Sequence, residues 1–117
     1  MKKLLLLISV TLFFIASCTF EKREVLPPEF KCDSTVHFHP TIDSIIIKNC
    51  STVPGCHVHG GSGTGDFTNF SELQTAATNG TLMNQVVTTK LMPQGATLSQ
   101  ADIDRIHCWI IQGGLDN

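Results

Sequence analysis

The stretch Asn49–Gly61, NCSTVPGCHVHGG, constrains this chain more than any other. It sets two cysteines and two histidines among residues that favour turns over regular structure. Cys50, Cys56 and His57 are thereby held close together in sequence, and three outcomes are open: a haem, another metal, or a disulfide loop.

The compartment narrows the choice. The chain begins MKKLLLLISVTLFFIASC, two lysines, a largely apolar run from Leu4 to Ile15 and then small residues, which is the pattern of a secretory signal. A membrane-spanning helix needs about 20 apolar residues, and this run is shorter. The ending IASC resembles the lipobox of bacterial lipoproteins, which implies a signal peptide over 1–17 and acylation of Cys18 as the new N-terminus. At about 0.8 kcal/mol per buried CH₂, two or more acyl chains give a stable anchor. The expected location is the bacterial cell envelope, at the periplasmic or outer-membrane face, where disulfides persist.

Residues 18–31 are charged and contain Pro27-Pro28, and they read as a lipid-anchored tether with a reach of about 20 Å. Residues 32–117 are expected to form one small domain. About 100 residues follow the leader, a length that buries only about 60–65% of its unfolded surface and benefits from a cofactor or crosslink. Of eight Lys and Arg, Lys2 and Lys3 lie in the leader, so six face ten Asp and Glu in the mature chain. No basic stripe for nucleic acid exists. Besides Cys18, four cysteines remain, Cys32, Cys50, Cys56 and Cys108, an even number that lets all be used.

Periodicity points to an all-α domain of short helices. CDSTVHFHP alternates, with His37 and His39 on one side of an extended arm that Pro40 halts. In TIDSIIIKNC, Thr41 is placed to cap, Asp43 sits in the first turn, and Ile42, Ile45 and Ile46 share a face, although three isoleucines in a row also suit a strand. NFSELQTAATNG predicts a helix over 71–78 ended by Asn79-Gly80, and TLMNQVVTTK another with Leu82, Val86 and Met83 inward. LMPQGATLS is irregular because Pro93 disfavours helix at Met92. In the last segment Ser99 and Asp102 form a near capping box before the stripe Ile103, Ile106, Ile110 with Trp109, and Gly113-Gly114 stop the helix. The glycine-rich loop GSGTGD lacks the Lys-Ser/Thr ending of a phosphate-binding P-loop.

A cysteine directly before a histidine at the end of a short helix is the core of a c-type haem site. The thiols attach to haem vinyl groups and the histidine ligates the iron from one face. A methionine thioether on the other face raises the reduction potential. Met92, 35 residues after His57 in LMPQG, sits on a rigid non-helical segment suited to that second role, and Met83, within a helix, is the weaker competitor.

These features together resemble the small monohaem cytochrome c domains of secreted and lipid-anchored bacterial proteins, over about Thr41 to Gly114. The matching elements are IIIKNC entering the first cysteine, CH with a glycine-rich follow-on, the MP loop, and LSQADIDRIHCWIIQGG as closing helix. The resemblance implies one haem c, axial ligands His57 and Met92, attachment through Cys50 and Cys56, and a packing role for Trp109. It implies a monomeric electron carrier rather than an enzyme, with redox proteins as partners and the membrane met through the lipid anchor. The family motif is CxxCH, whereas Cys50 and Cys56 here enclose five residues, STVPG, so the spacer must bulge, with Pro54-Gly55 suited to the turn.

If both of those cysteines take haem, Cys32 and Cys108 are the remaining pair and would staple the arm to the last helix. The rival is a haem-free structural or interaction lipoprotein of the same fold stabilised by two disulfides. A third reading uses the pairs His37/His39 and His57/His59 for zinc or copper and needs the arm folded onto the glycine loop. His59 is expected to face solvent and His107 to sit at the core boundary with a hydrogen bond. Phe67, Phe70, Leu73, Leu82, Val86, Leu91, Ile103, Ile106 and Ile110 are candidates to line a haem crevice. No catalytic serine, histidine and acid stand at a legible spacing.

Overall fold

The computed structural model describes residues 30–52 and 55–117. The expected signal peptide and acylation site Cys18, most of the expected tether and Pro54 of the spacer lie outside the described residues. Among the described residues four helical elements follow one another. Helix α1 is built from three consecutive pieces, Phe38–Ile42, Asp43–Ile46 and Ile47–Ser51, the outer two wound wider than an α-helix. Helix α2 spans Phe70–Thr78, α3 spans Met83–Thr88 and is also wide, and α4 spans Gln100–Ile111. The described residues contain no strand. The isoleucine run of TIDSIIIKNC is therefore helical.

Local chemistry sets the helix ends. Asn69 caps α2 by accepting from the Ser71 N–H at 3.0 Å, an arrangement worth about 1 kcal/mol, and Asn79-Gly80 end it. Ser99 accepts from the Asp102 N–H at 3.1 Å and donates to the Asp102 carboxylate at 2.8 Å, closing the expected capping box. At the other end Gly113 and Gly114 take φ of 104° and 60°, where a side chain is disfavoured. Thr41 does not cap α1. Winding begins upstream at Phe38 with a kink at His39, since Pro40 has no N–H to be satisfied and fits a first turn. Asp43 does the fastening, accepting from the Ser44 N–H at 2.6 Å and pairing with His39 Nδ1 at 2.7 Å.

The core gathers one stripe from each helix: Ile42 and Ile46 of α1, Leu73 and Ala77 of α2, Val86 of α3, and Ile106 and Trp109 of α4. Each large apolar side chain so buried contributes roughly 1.5–3 kcal/mol. Phe38 joins them, edge-on to Phe70 at 4.8 Å and 5.8 Å from Trp109. Trp109 is 1% exposed, and its indole N–H donates to the Leu115 carbonyl at 2.9 Å. Its polar tip is thus satisfied inside the protein, consistent with packing.

The N-terminal arm is strapped to the C-terminal end. Cys32 and Cys108 form a disulfide across 76 residues of chain. Val36 N–H donates to Gln112 Oε1, Gln112 Nε2 donates to the Ser34 carbonyl, and Phe38 N–H donates to Asn117 Oδ1. His107 stacks on Phe30 at 4.2 Å, 17° from parallel, so the arm supplies a ring where a hydrogen bond was expected. His39 pairs with Asp43 and lies 3.6 Å from Asp116, which gives it a structural task.

Candidate functional site

Cys50 lies at the buried C-terminal end of α1 beside Ser51, and the chain returns to it. The His57 N–H donates to the Cys50 carbonyl at 3.0 Å. In an α-helix a carbonyl at position i accepts from the N–H at i+4, which in a CxxCH segment joins the same two residues. Here the donor is at i+7, so the closing bond spans three residues more. The Ser51 hydroxyl reinforces the join by donating to the His57 carbonyl at 3.2 Å.

The glycine loop forms a wall behind Cys56 and His57. Gly63 N–H donates to the Cys56 carbonyl at 2.8 Å, and Phe67 N–H to the His57 carbonyl at 2.9 Å. A Cβ at Gly61 would lie 2.2 Å from the Cys56 carbonyl oxygen, and one at Gly63 would lie 2.8 Å from the imidazole Cε1. Real contacts never come so close, so glycine is what allows the loop to lie against the Cys-His pair.

In front of this wall is a cavity of about 560 Å³, within the ~300–1,000 Å³ range of ligand and cofactor sites. Cys50, Cys56, His57 and Met92 all border it, with Phe67, Leu82 and Val86 as apolar lining. Four candidate residues from two stretches of sequence thus meet at one space. Leu91 is not part of it: it is 63% exposed, because the chain turns at Lys90, φ 53°, and presents Met92 and Pro93 instead. Phe70, Leu73, Ile103, Ile106 and Ile110 pack in or against the protein interior and not along the cavity. Thr75, Ala76 and Gln85 border it unexpectedly. They lie on the less apolar sides of α2 and α3, which periodicity assigns to solvent.

The protonation of the site has physical causes. His57 Nδ1 lies 3.0 Å from the Thr64 carbonyl. A carbonyl only accepts, so Nδ1 donates, and in the neutral ring Nε2 then carries the lone pair. Burial, and secondarily the neighbouring Cys56, push the Cys50 thiol up to about 11. Neither Cys50 nor Cys56 is disulfide-bonded, so the small disulfide loop considered from sequence is not formed.

Covalent haem attachment adds each thiol S–H across a vinyl double bond, which requires reduced thiols beside the tetrapyrrole. Two such thiols, an imidazole with Nε2 available, a thioether sulfur and apolar walls on one cavity suit that group. Among the described residues no three His, Cys, Asp or Glu side chains cluster as metal ligands, so the two His-x-His pairs do not assemble. His59 is exposed. Comparison with known protein families, curated proteins and solved structures gives no match. Among the described residues no helix is long and apolar enough to cross a membrane.

Proposed function

We propose that this chain is a lipid-anchored monohaem c-type electron carrier of the bacterial cell envelope, attached to haem through Cys50 and Cys56 and ligating iron with His57 and Met92. What supports the reading is one convergence: these four side chains border a single cavity with both thiols unbonded, while the other two cysteines of the domain are already paired. A bound haem would supply a one-electron iron couple, with His57 and Met92 as the residues that would hold its iron.

The chain's own residues do the remaining work. The Thr64 carbonyl holds the Nδ1 proton and keeps Nε2 available. Burial makes the Cys50 sulfur hold its proton further into alkali than an ordinary cysteine does. Leu82 and Val86, both buried, exclude water from the apolar side. The proposed role is carriage between redox proteins, as a monomer held by its tether, with no catalytic step of its own.

Expression in cells with an active cytochrome c assembly system tests this directly. After denaturation and acid extraction the polypeptide should keep a haem absorption band and a mass increased by one haem. A colourless polypeptide of unmodified mass, from cells in which a control cytochrome matures, overturns the proposal.

A further inference from the structure

Phe67 lies flat on the His57 imidazole, with ring centroids 4.2 Å apart and planes 3° from parallel. The outer torsion of a histidine is broad and roughly two-fold, so an uncontacted ring turns over readily, exchanging each nitrogen with a ring carbon. Three contacts oppose that exchange here. The Thr64 carbonyl takes Nδ1 at 3.0 Å, the Phe67 face fixes the ring plane, and the backbone at Gly63 passes so close that even a methyl group would strike the ring edge.

Phe67 is itself anchored. Its N–H donates to the His57 carbonyl at 2.9 Å, the preceding Asp66 N–H donates to Glu72 Oε2 at 2.8 Å, and the following Thr68 N–H donates to Asp66 Oδ1 at 3.0 Å. The backbone that carries the ring is therefore tied both to the histidine it covers and to helix α2. Such ordering, present before a ligand arrives, removes a cost that binding otherwise carries.

We infer that Phe67 is a positioning residue for His57: with the Gly63–Thr64 backbone it fixes the imidazole plane and the Nδ1–H tautomer, and so presents Nε2 as the metal donor. This inference rests on the haem reading of the cavity and adds the residue that orients its ligand. The flat ring is the operative feature, so tyrosine should replace phenylalanine and leucine should not.

The test uses ¹⁵N NMR of the imidazoles in the haem-free full chain, followed by titration with iron(III) protoporphyrin. The wild-type chain should show His57 as a single Nδ1–H tautomer. Phe67→Leu should give a tautomer mixture and about 10-fold weaker porphyrin binding, within the range for groups that orient a metal ligand, and Phe67→Tyr should restore both. Trp109 fluorescence, unchanged across the three, confirms the fold. Identical tautomer patterns and affinities in the wild type and Phe67→Leu overturn the inference. If the tautomer follows Phe67 but cells never attach haem, the haem reading falls and the positioning role stands.

Discussion

The backbone N–H of His57 donates to the carbonyl of Cys50 at 3.0 Å, across a spacer three residues longer than one helical turn requires. The approach of His57 to Cys50 is thus set by a helix-like closure and not by the spacer's length. Deleting Thr52, Val53 and Pro54 leaves Cys-Ser-Gly-Cys-His and turns the same bond into an ordinary i+4 contact. The shortened chain should take up haem at least as completely as the parent. The haem-to-protein ratio after maturation measures this, and loss of attachment in a folded deletion variant contradicts it.

Met92 reaches the cavity from the segment after α3, independently of the Cys-His loop. Met92→Ala should abolish the methionine-to-iron charge-transfer band and lower the midpoint potential, leaving the haem covalently attached. A band that survives assigns the ligand elsewhere, Met83 being the first residue to replace.

Gly63 has no room for a side chain beside His57. Gly63→Ala should therefore displace the imidazole and break its bond to the Thr64 carbonyl, with a loss of about 1–3 kcal/mol from strain and the unpaired group. Urea denaturation of the haem-free chain gives the stability change. The His57 tautomer, followed by NMR, shows whether the ring has moved.

What was legible in the sequence was local. Ser99 and Asp102 cap α4, Asn79-Gly80 end α2, and Trp109 packs inside, because each depends on neighbours a few residues away or on a strong apolar period. Where long-range contacts decide, sequence spacing was silent. Phe30 reaches His107 from 77 positions upstream, and the turn at Lys90 sends Leu91 outward. Cys50, Cys56, His57 and Met92 were readable as a set because three fall within one stretch of eight residues and the fourth sits beside a proline. The stacking of Phe67 carried no signal: a phenylalanine ten residues after a histidine looks like any core residue.

The disulfide Cys32–Cys108 closes 76 residues, for which the chain-entropy estimate is about 4 kcal/mol. Replacing both cysteines with alanine should lower the urea midpoint without changing haem content. The loss should fall short of the full estimate, because Gln112 still bonds the arm at Val36 and Ser34. Haem content is the decisive readout: if it falls with stability, the strap and the cavity are coupled.

Cys50 gives the chain a pH dependence whose sign is fixed. Its thiol is raised from 9.0 to about 11, by burial first and by Cys56 second. Below about pH 8 folded and unfolded chains both hold the proton, and stability is indifferent to this group. Between about 9 and 11 the unfolded chain releases the proton while the folded chain keeps it, so stability falls as pH rises, by at most about 3 kcal/mol. Urea midpoints of the haem-free protein across this window should therefore decline more steeply than those of Cys50→Ala, which lacks the group and controls for lysine titration. A thioether sulfur has no proton to lose, so once haem is attached at Cys50 the extra slope should disappear. An identical slope with and without attached haem means that Cys50 kept its thiol and that the single bond is made by Cys56.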